Sequence, residues 1–220
     1  MSHFLGPIHY LMMERVQSVS ARERAMAAQA FEAFGPPMAE ALDAARADYG
    51  YEPPEGPLEE AVGEANIHEY LSEQVRRVEE SEAAVVRAIL EAAGEEGARL
   101  IKEAAFEHGR TVGESLKAGR NLGGESVQDV ANGLNMALLD GMPCDRATDL
   151  AEEADGRMVL RRSLGVHRSA WEAAGADVGL MAELNGLWSA GVAQALNPQA
   201  KLSRTVHLEG VGWCEDELHL

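Results

Sequence analysis

Apolar side chains recur at helical spacing through the first 140 residues, and at the two-residue spacing of strands in two segments after Gly141. Glycines and prolines divide the helical part, most clearly at Gly35-Pro36-Pro37 and in YGYEPPEGP at 49–57. A chain with this change of period has to combine packed helices with antiparallel strands. We therefore predict an α+β fold, with a predominantly helical N-terminal half and a C-terminal half in which helices pack on antiparallel strand hairpins.

The pattern predicts five helices before Gly141 and two after it. Their expected ranges are 7–34, 38–48, 66–90, 95–118, 125–140, 169–175 and 178–196. One strand pair is expected within 147–167, turning at Asp155-Gly156, and a second within 201–220, turning around 209–212. The two hairpins could join in one sheet. The glycine- and proline-rich stretch at 49–57 divides the chain into a helical segment at 1–56 and an α+β domain at 57–220, with one continuous domain as the alternative.

Charge and composition exclude several kinds of partner. The chain carries 37 acidic and 19 basic side chains, a net charge of −18, and has no basic stripe. Such a field repels nucleic acids and anionic membrane surfaces, so neither is an expected partner. There is no apolar run of about 18 residues and no secretion signal at the N-terminus. Cys144 and Cys214 form no CxxC pair, and we predict a reduced, cytoplasmic protein.

Two helices begin with the same dipeptide, in PIHYLMMERV at 7–16 and NIHEYLSEQV at 66–75. Alignment of 8–31 with 67–90 gives seven identities in twenty-four positions, including His9 with His68. Helical spacing places both histidines on the apolar face, and the helix dipole in a first turn favours a neutral ring. Neutral imidazoles bind metals, so His9 and His68 are candidate ligands of zinc, iron or haem if the two helices are related by a local two-fold axis. The alternative is packing, with each ring bonded to a carbonyl group.

Three further residues are candidate catalytic groups. LLDGMPCDR at 138–146 is a tight turn that presents Cys144, a possible thiolate nucleophile or metal ligand, next to Asp145. His167 follows the first strand pair and could lie at the mouth of a pocket. Each also has an ordinary structural interpretation, as a packed turn or a surface histidine. His108, beside Gly109, ranks below His9 and His68 as a candidate.

The end of the chain resembles the L-2-amino-thiazoline-4-carboxylic acid hydrolase family and, more distantly, the four-vinyl reductase domain. The similar features are Asn197-Pro198, Arg204-Thr205, then Gly210 followed by Cys214, and the glycine-punctuated helix at 97–113. The resemblance covers about half of the chain. It departs from the family at three positions, where His167 replaces one cysteine and Gly186 and Ser189 stand near a second cysteine and an acid.

These observations together predict a metal-assisted hydrolase or lyase that acts on a small organic substrate. Its pocket would be lined by His9, His68, Cys144 and His167, which would hold zinc or iron so that bound water ionises more readily. Asp145 or Glu69 would carry protons. The alternative that the four-vinyl reductase resemblance implies is a module that binds haem, another tetrapyrrole or a small molecule without catalysis. A third possibility is that the histidines are structural and the acidic helices form an assembly surface, as in a homo-oligomer.

Overall fold

The structure is a computed structural model that describes residues 5–120 and 124–220, and it confirms the α+β fold class. The helices are α1 (Pro7–Phe34), α2 (Pro36–Tyr49), α3 (Leu58–Val62), α4 (Ile67–Arg120), α5 (Val127–Ala137), α6 (Gly165–Ala173) and α7 (Val178–Leu196). The strands are β1 (Thr148–Ala154), β2 (Arg157–Ser163), β3 (Lys201–His207) and β4 (Trp213–His219). A 3₁₀ turn at Pro143–Asp145 precedes β1.

The helix boundaries follow local chemistry. The Asn66 side chain accepts the backbone N–H groups of His68 and Glu69, which caps α4 as the sequence predicts. The two helices predicted at 66–90 and 95–118 are confirmed as the two helical segments of α4, which meet in a kink at Gly94, where φ is 56° and ψ is −133° and the backbone is not helical. The short α3 was not predicted. The turn predicted at 119–124 includes residues 121–123, which lie outside the described residues.

The centre of the helical layer is the close crossing of α4 and α7. A Cβ atom added to Gly109 would lie 2.1 Å from the carbonyl oxygen of Trp188, and one added to Gly191 would lie 2.2 Å from that of Phe106. These are backbone atoms, which cannot move aside as a flexible side chain can. Glycine at both positions therefore allows the two helix backbones to touch.

The two hairpins do join in one antiparallel sheet, with strand order β1-β2-β4-β3. Strands β2 and β4 connect them, in a register that places Arg162 opposite Cys214. Alternate residues of β4 are buried, namely Cys214, Asp216 and Leu218. This buried face of the sheet packs against α5 and α7.

Buried apolar side chains form two clusters. The larger joins α1, α2, α4, α5, α6 and α7 to the inner face of the sheet. The smaller lies between the N-terminal parts of α1 and α4 and includes Met12, Leu58 and Leu71. None of the described helices combines the length and the apolar character that crossing a membrane requires.

Candidate functional site

The structure brings His9 and His68 together. Their ring centroids are 5.7 Å apart and the rings meet edge to face. The expectation that both point into the core is wrong, because His68 is exposed and His9 is half-buried. His9 Nδ1 accepts a hydrogen bond of 3.0 Å from the backbone N–H of Gly6, which leaves the proton of a neutral ring on Nε2. His9 thus caps its own helix.

Cys144 and Asp145 lie on the 3₁₀ turn. The thiol of Cys144 is exposed, as the sequence predicts, and its Sγ lies 3.9 Å from Asp145 Oδ1. Asp145 Oδ2 accepts the backbone N–H of Met142 at 2.7 Å. The observed role of this carboxylate is therefore to hold the turn closed.

His167 is not at the mouth of a pocket. Strand β2 ends at Ser163, so the residue falls in the first turn of α6 rather than after a strand, and only 3% of it is exposed. Its ring stacks on Trp171, one turn later, at a centroid distance of 4.9 Å. This histidine belongs to the interior.

The predicted ligand set of His9, His68, Cys144 and His167 is not assembled. Among the described residues, no group of three or more histidine, cysteine, aspartate or glutamate side chains has the geometry to hold a metal ion. His9 and His68 pair near the beginnings of two helices, Cys144 is on an exposed turn, and His167 is buried. The prediction of one pocket lined by all four is therefore wrong.

His167 instead lies between two carboxylates. Its Nδ1 is 2.5 Å from Glu79 Oε1, on α4, and its Nε2 is 3.5 Å from Asp140 Oδ1, in the segment after α5. Asp140 in turn forms an ion pair with Arg162 on β2 and accepts the hydroxyl of Thr148 at 3.0 Å. These contacts connect the helical layer to the sheet.

The chain of charges continues across the inner face of the sheet. Arg162 Nε donates to Asp216 Oδ2 at 2.8 Å, and Arg204 donates to both oxygens of Asp216, at 2.6 and 2.7 Å. We call these six residues the ion network, and it contains Glu79, His167, Asp140, Arg162, Asp216 and Arg204. With a protonated His167 it has three negative and three positive groups. Buried charges are tolerated when each is paired with an opposite charge in this way.

The network shifts the titration of its members. Burial alone would lower the pKa of His167, but the charges and hydrogen bonds of Glu79 and Asp140 outweigh it and raise this pKa to about 10. Burial acts to raise the pKa of Asp140, yet Arg162 and His167 hold it well below its usual range. Burial acts to raise the pKa of Glu79, and the charge and hydrogen bond of His167 act to lower it. At neutral pH, Asp140 is therefore a carboxylate backed by an imidazolium.

Sequence reasoning missed five of these six residues, although a signal for them exists. Two-residue alternation puts Arg162 after Met158 and Leu160, and puts Asp216 between Cys214 and Leu218. Charged residues on the apolar face of two paired strands are a sign of a buried ion pair. Glu79 likewise falls on the buried stripe of α4, one residue after Val78.

One member of the ion network reaches solvent more than the others. The side chain of Asp140 is 15% exposed, against 7% or less for its five partners. It opens into a cleft of about 390 Å³ bounded by α1, α5, the 3₁₀ turn and the first hairpin. Apolar walls with a few convergent polar groups are typical of sites for small molecules, and this volume is in their range. The apolar side chains lining the cleft include Ile8, Leu138, Leu150, Met158 and Leu160.

Three arginines line the cleft in a chain that is otherwise strongly acidic. Arg162 is at its floor, and Arg15 and Arg146 complete the set. Arg15 donates to the carbonyl oxygens of Asn135 and Met136, so it also caps the C-terminal end of α5. Asp140 and Asp216 balance the charge of Arg162, so the charge that favours an anion in the cleft is chiefly that of Arg146.

Arg146 is the arginine most available to a ligand. It is exposed and has no ion-pair partner within 5–119 and 124–220. Among the described residues, it is also the one non-glycine residue with a positive φ, at 49°. Strained backbone of this kind is concentrated at ligand sites.

A second buried ion pair lies behind the ion network. Arg22 on α1 and Glu82 on α4 form two hydrogen bonds, of 2.5 and 2.7 Å. His108 lies nearby and accepts the indole N–H of Trp188 at 3.0 Å. Burial and the charges of Arg22 and Arg24 lower the pKa of His108 to about 4, so it is a neutral hydrogen-bond acceptor.

Fold and site together define an α+β protein with a charge-balanced buried network that ends in an arginine-lined cleft. No protein-family model matches this chain, and no curated protein or solved structure is significantly similar to it. The resemblance to the thiazoline-carboxylate hydrolases therefore stays a prediction. One of its departures has a clear structural role, because a Cβ atom at Gly186 would lie 2.9 Å from Cδ of Arg204.

Proposed function

We propose that the cleft binds a small organic molecule carrying both a carboxylate and a protonated nitrogen, and that the protein acts on it as a hydrolase or lyase. The observation that carries the proposal is the pairing of opposite charges in the cleft. Asp140 offers an ionised oxygen, and Arg146 offers a guanidinium that no described residue pairs with. A zwitterionic ligand satisfies both groups at once.

Asp140 is suited to hold the nitrogen of such a ligand. Its Oδ2 accepts hydrogen bonds from Thr148 and Arg162, whereas the contact of Oδ1 within the described part of the chain is the longer one of 3.5 Å to His167. Oδ1 therefore has capacity for a ligand donor. The imidazolium behind Asp140 keeps the carboxylate ionised and oriented, so binding requires little rearrangement.

The chemical step is the more specific part of the proposal. Asp140, whose pKa is held well below its usual range, is too weak a base to take a proton from the substrate, so its role is to hold the protonated nitrogen while water adds to the adjacent carbon or a fragment leaves it. The resemblance at Asn197-Pro198 and Arg204-Thr205 suggests L-2-amino-thiazoline-4-carboxylate as a first probe. That molecule carries the two required charges.

Calorimetric titration with three matched probes tests the binding. The probes are L-2-amino-thiazoline-4-carboxylate, the same ring without its amino group, and 2-amino-thiazoline without the carboxylate. We expect the first to bind at least about tenfold more tightly than either truncated probe, since each lost ion contact costs about 1.4 kcal/mol or more. Equal affinity for all three would contradict the proposal.

Variants of the cleft make the test specific. Arg146→Asn removes the charge but tolerates the left-handed backbone, and it should weaken the carboxylate probes by about tenfold. Arg99→Asn, on the exposed face of α4, is the matched control and should change nothing. Mass spectrometry of the incubated probe then separates an enzyme, which adds water or eliminates a fragment, from a module that only binds.

The His9–His68 pair supports a second candidate function, binding of zinc, iron or haem. Two imidazoles 5.7 Å apart are the start of a ligand set, although a metal on His9 Nε2 would displace its proton and cost the bond to Gly6. Titration with zinc and with haem tests this candidate. Stoichiometric zinc, or a Soret band, that is lost in His9→Ala and in His68→Ala would support it. If the wild type binds no zinc and shows no Soret band, this candidate function is overturned.

A further inference from the structure

A second, small cavity is lined by residues of α1, α4, α6 and α7, by the end of α5 and by the segment after it, and we call it the inner cavity. Its volume is about 20 Å³, which is room for one water-sized molecule. Leu138 lines both the inner cavity and the cleft.

Two residues that line the inner cavity each carry a buried polar atom that has no hydrogen-bond partner among the described residues. These atoms are Ser18 Oγ and Glu79 Oε2. Glu79 is only 4% exposed, and its other oxygen is held by His167. A buried polar atom without a partner is costly, so both atoms call for a ligand that can bond to them.

The surrounding charges restrict that ligand to a neutral one. Arg22 is paired with Glu82, and His167 is paired with Glu79, so another cation or anion would meet a like charge. The aromatic faces are also in use, because Arg22 lies 5.6 Å from the ring centroid of Trp188 and His167 stacks on Trp171. The ligand must therefore be small and uncharged, and must donate hydrogen bonds.

We propose that the inner cavity is a water site formed by Ser18 and Glu79, and that Glu79, held by this water, is a positioning residue for His167 and Asp140. Water donates one hydrogen to Glu79 Oε2 and exchanges a hydrogen bond with Ser18 Oγ. It thereby stabilises the ionised carboxylate whose other oxygen orients the His167 ring. The water site does not depend on the proposed function. The effect of this water on ligand binding in the cleft does rest on the proposed function.

Ser18→Val and Ser18→Thr introduce side chains of nearly the same shape, and only the threonine keeps the hydroxyl. Comparing the two variants therefore separates the effect of losing the hydroxyl from the effect of the added volume. Oxygen-17 water relaxation counts long-lived internal water, and nitrogen-15 NMR distinguishes an imidazolium from a neutral ring. We expect Ser18→Val to lose one long-lived water and to shift the His167 signals at pH 7 toward those of a neutral ring. Ser18→Thr should keep more of the wild-type signal in both measurements.

Glu79→Gln provides an independent variant, with Glu80→Gln as its control on the same helix. Glu79→Gln should convert His167 to the neutral ring at pH 7, while Glu80, which pairs with Arg76, should not affect it. The proposal is overturned if the wild type shows no long-lived water that depends on Ser18, or if neither Ser18→Val nor Glu79→Gln moves the His167 signals. No ligand is needed, so a failure here is distinct from a failure of the probes to bind in the cleft.

Discussion

At the scale of single residues, the charge of His167 is set by the carboxylates around it and not by its position in a helix. His167 is in the first turn of α6, where the helix dipole disfavours a positive ring by about 0.3–1 kcal/mol. Glu79 and Asp140 nevertheless flank the ring and outweigh both the dipole and burial. Position in a helix therefore decides the charge of a histidine only where no buried carboxylate faces it.

The pKa of His167 predicts how stability depends on pH. The folded-state value of about 10 lies above the 6.5 of a free imidazole, so the folded protein binds this proton more tightly. The resulting stability is complete below pH 6.5 and is lost as the pH rises through about 10, when Glu79, Asp140 and their neighbours keep an unbalanced negative charge. Urea unfolding at pH 7 and pH 10 should show a loss of about 2–4 kcal/mol. His167→Gln should show a clearly smaller loss, and equal losses would contradict the assignment.

Capping by His9 makes a second prediction at this scale. His9→Ala removes the acceptor for the Gly6 N–H and should lower the free energy of unfolding by about 1 kcal/mol. His68→Ala removes an exposed ring and should cost less than about 0.5 kcal/mol. Thermal unfolding of both variants without added metal measures the difference. Equal costs would indicate that the contact between the rings matters more than the cap.

At the scale of elements, the crossing of α4 and α7 depends on two glycines. Gly109→Ala or Gly191→Ala would place a methyl group against a backbone oxygen, so the helices must separate. We expect a loss of about 2–4 kcal/mol, larger than the gain of about 1 kcal/mol from helix propensity. Gly119→Ala, in the same helix with no atom within 4 Å of the added methyl, is the control and should be neutral or stabilising.

Most elements could be predicted because their signals are local. Pro7 at the start of α1, the Asn66 cap and the Asp155-Gly156 turn all act within a few residues, and each gives a boundary close to the observed one. Gly94 is a further local signal of this kind, since its non-helical backbone separates the two helical segments of α4 where the sequence predicts a break.

The site was less predictable because it depends on contacts between distant parts of the chain. The pairing of Glu79 with His167 spans 88 residues, and no local pattern of residue types encodes that distance. The repeated Ile-His dipeptide left open whether His9 and His68 meet, and the structure places their rings 5.7 Å apart. The dipeptide did not indicate that Gly6 would occupy one nitrogen, since that depends on the conformation at the helix start.

At the scale of the whole molecule, the net charge of −18 is carried outside the balanced ion network. Repulsion among these acidic groups opposes the compact state, and salt screens exposed charges more than buried ones. We expect the melting temperature to rise between low and molar salt by about 2–4 °C, which corresponds to about 1 kcal/mol for a chain of this size. Sodium chloride and potassium chloride should act alike. A fall in melting temperature would show that the exposed helix ion pairs dominate.

The long sequence separations within the ion network determine when the protein can be completed during synthesis. Helix α4 is finished before Arg162, His167 and Arg204 have been added to the chain, so Glu79 leaves the ribosome ahead of the group that neutralises it. Until then, Glu79 and Asp140 in the helical half have no cationic partner from the network. Addition of β4, with Asp216 between two arginines, is the event that closes the core and balances its charge together.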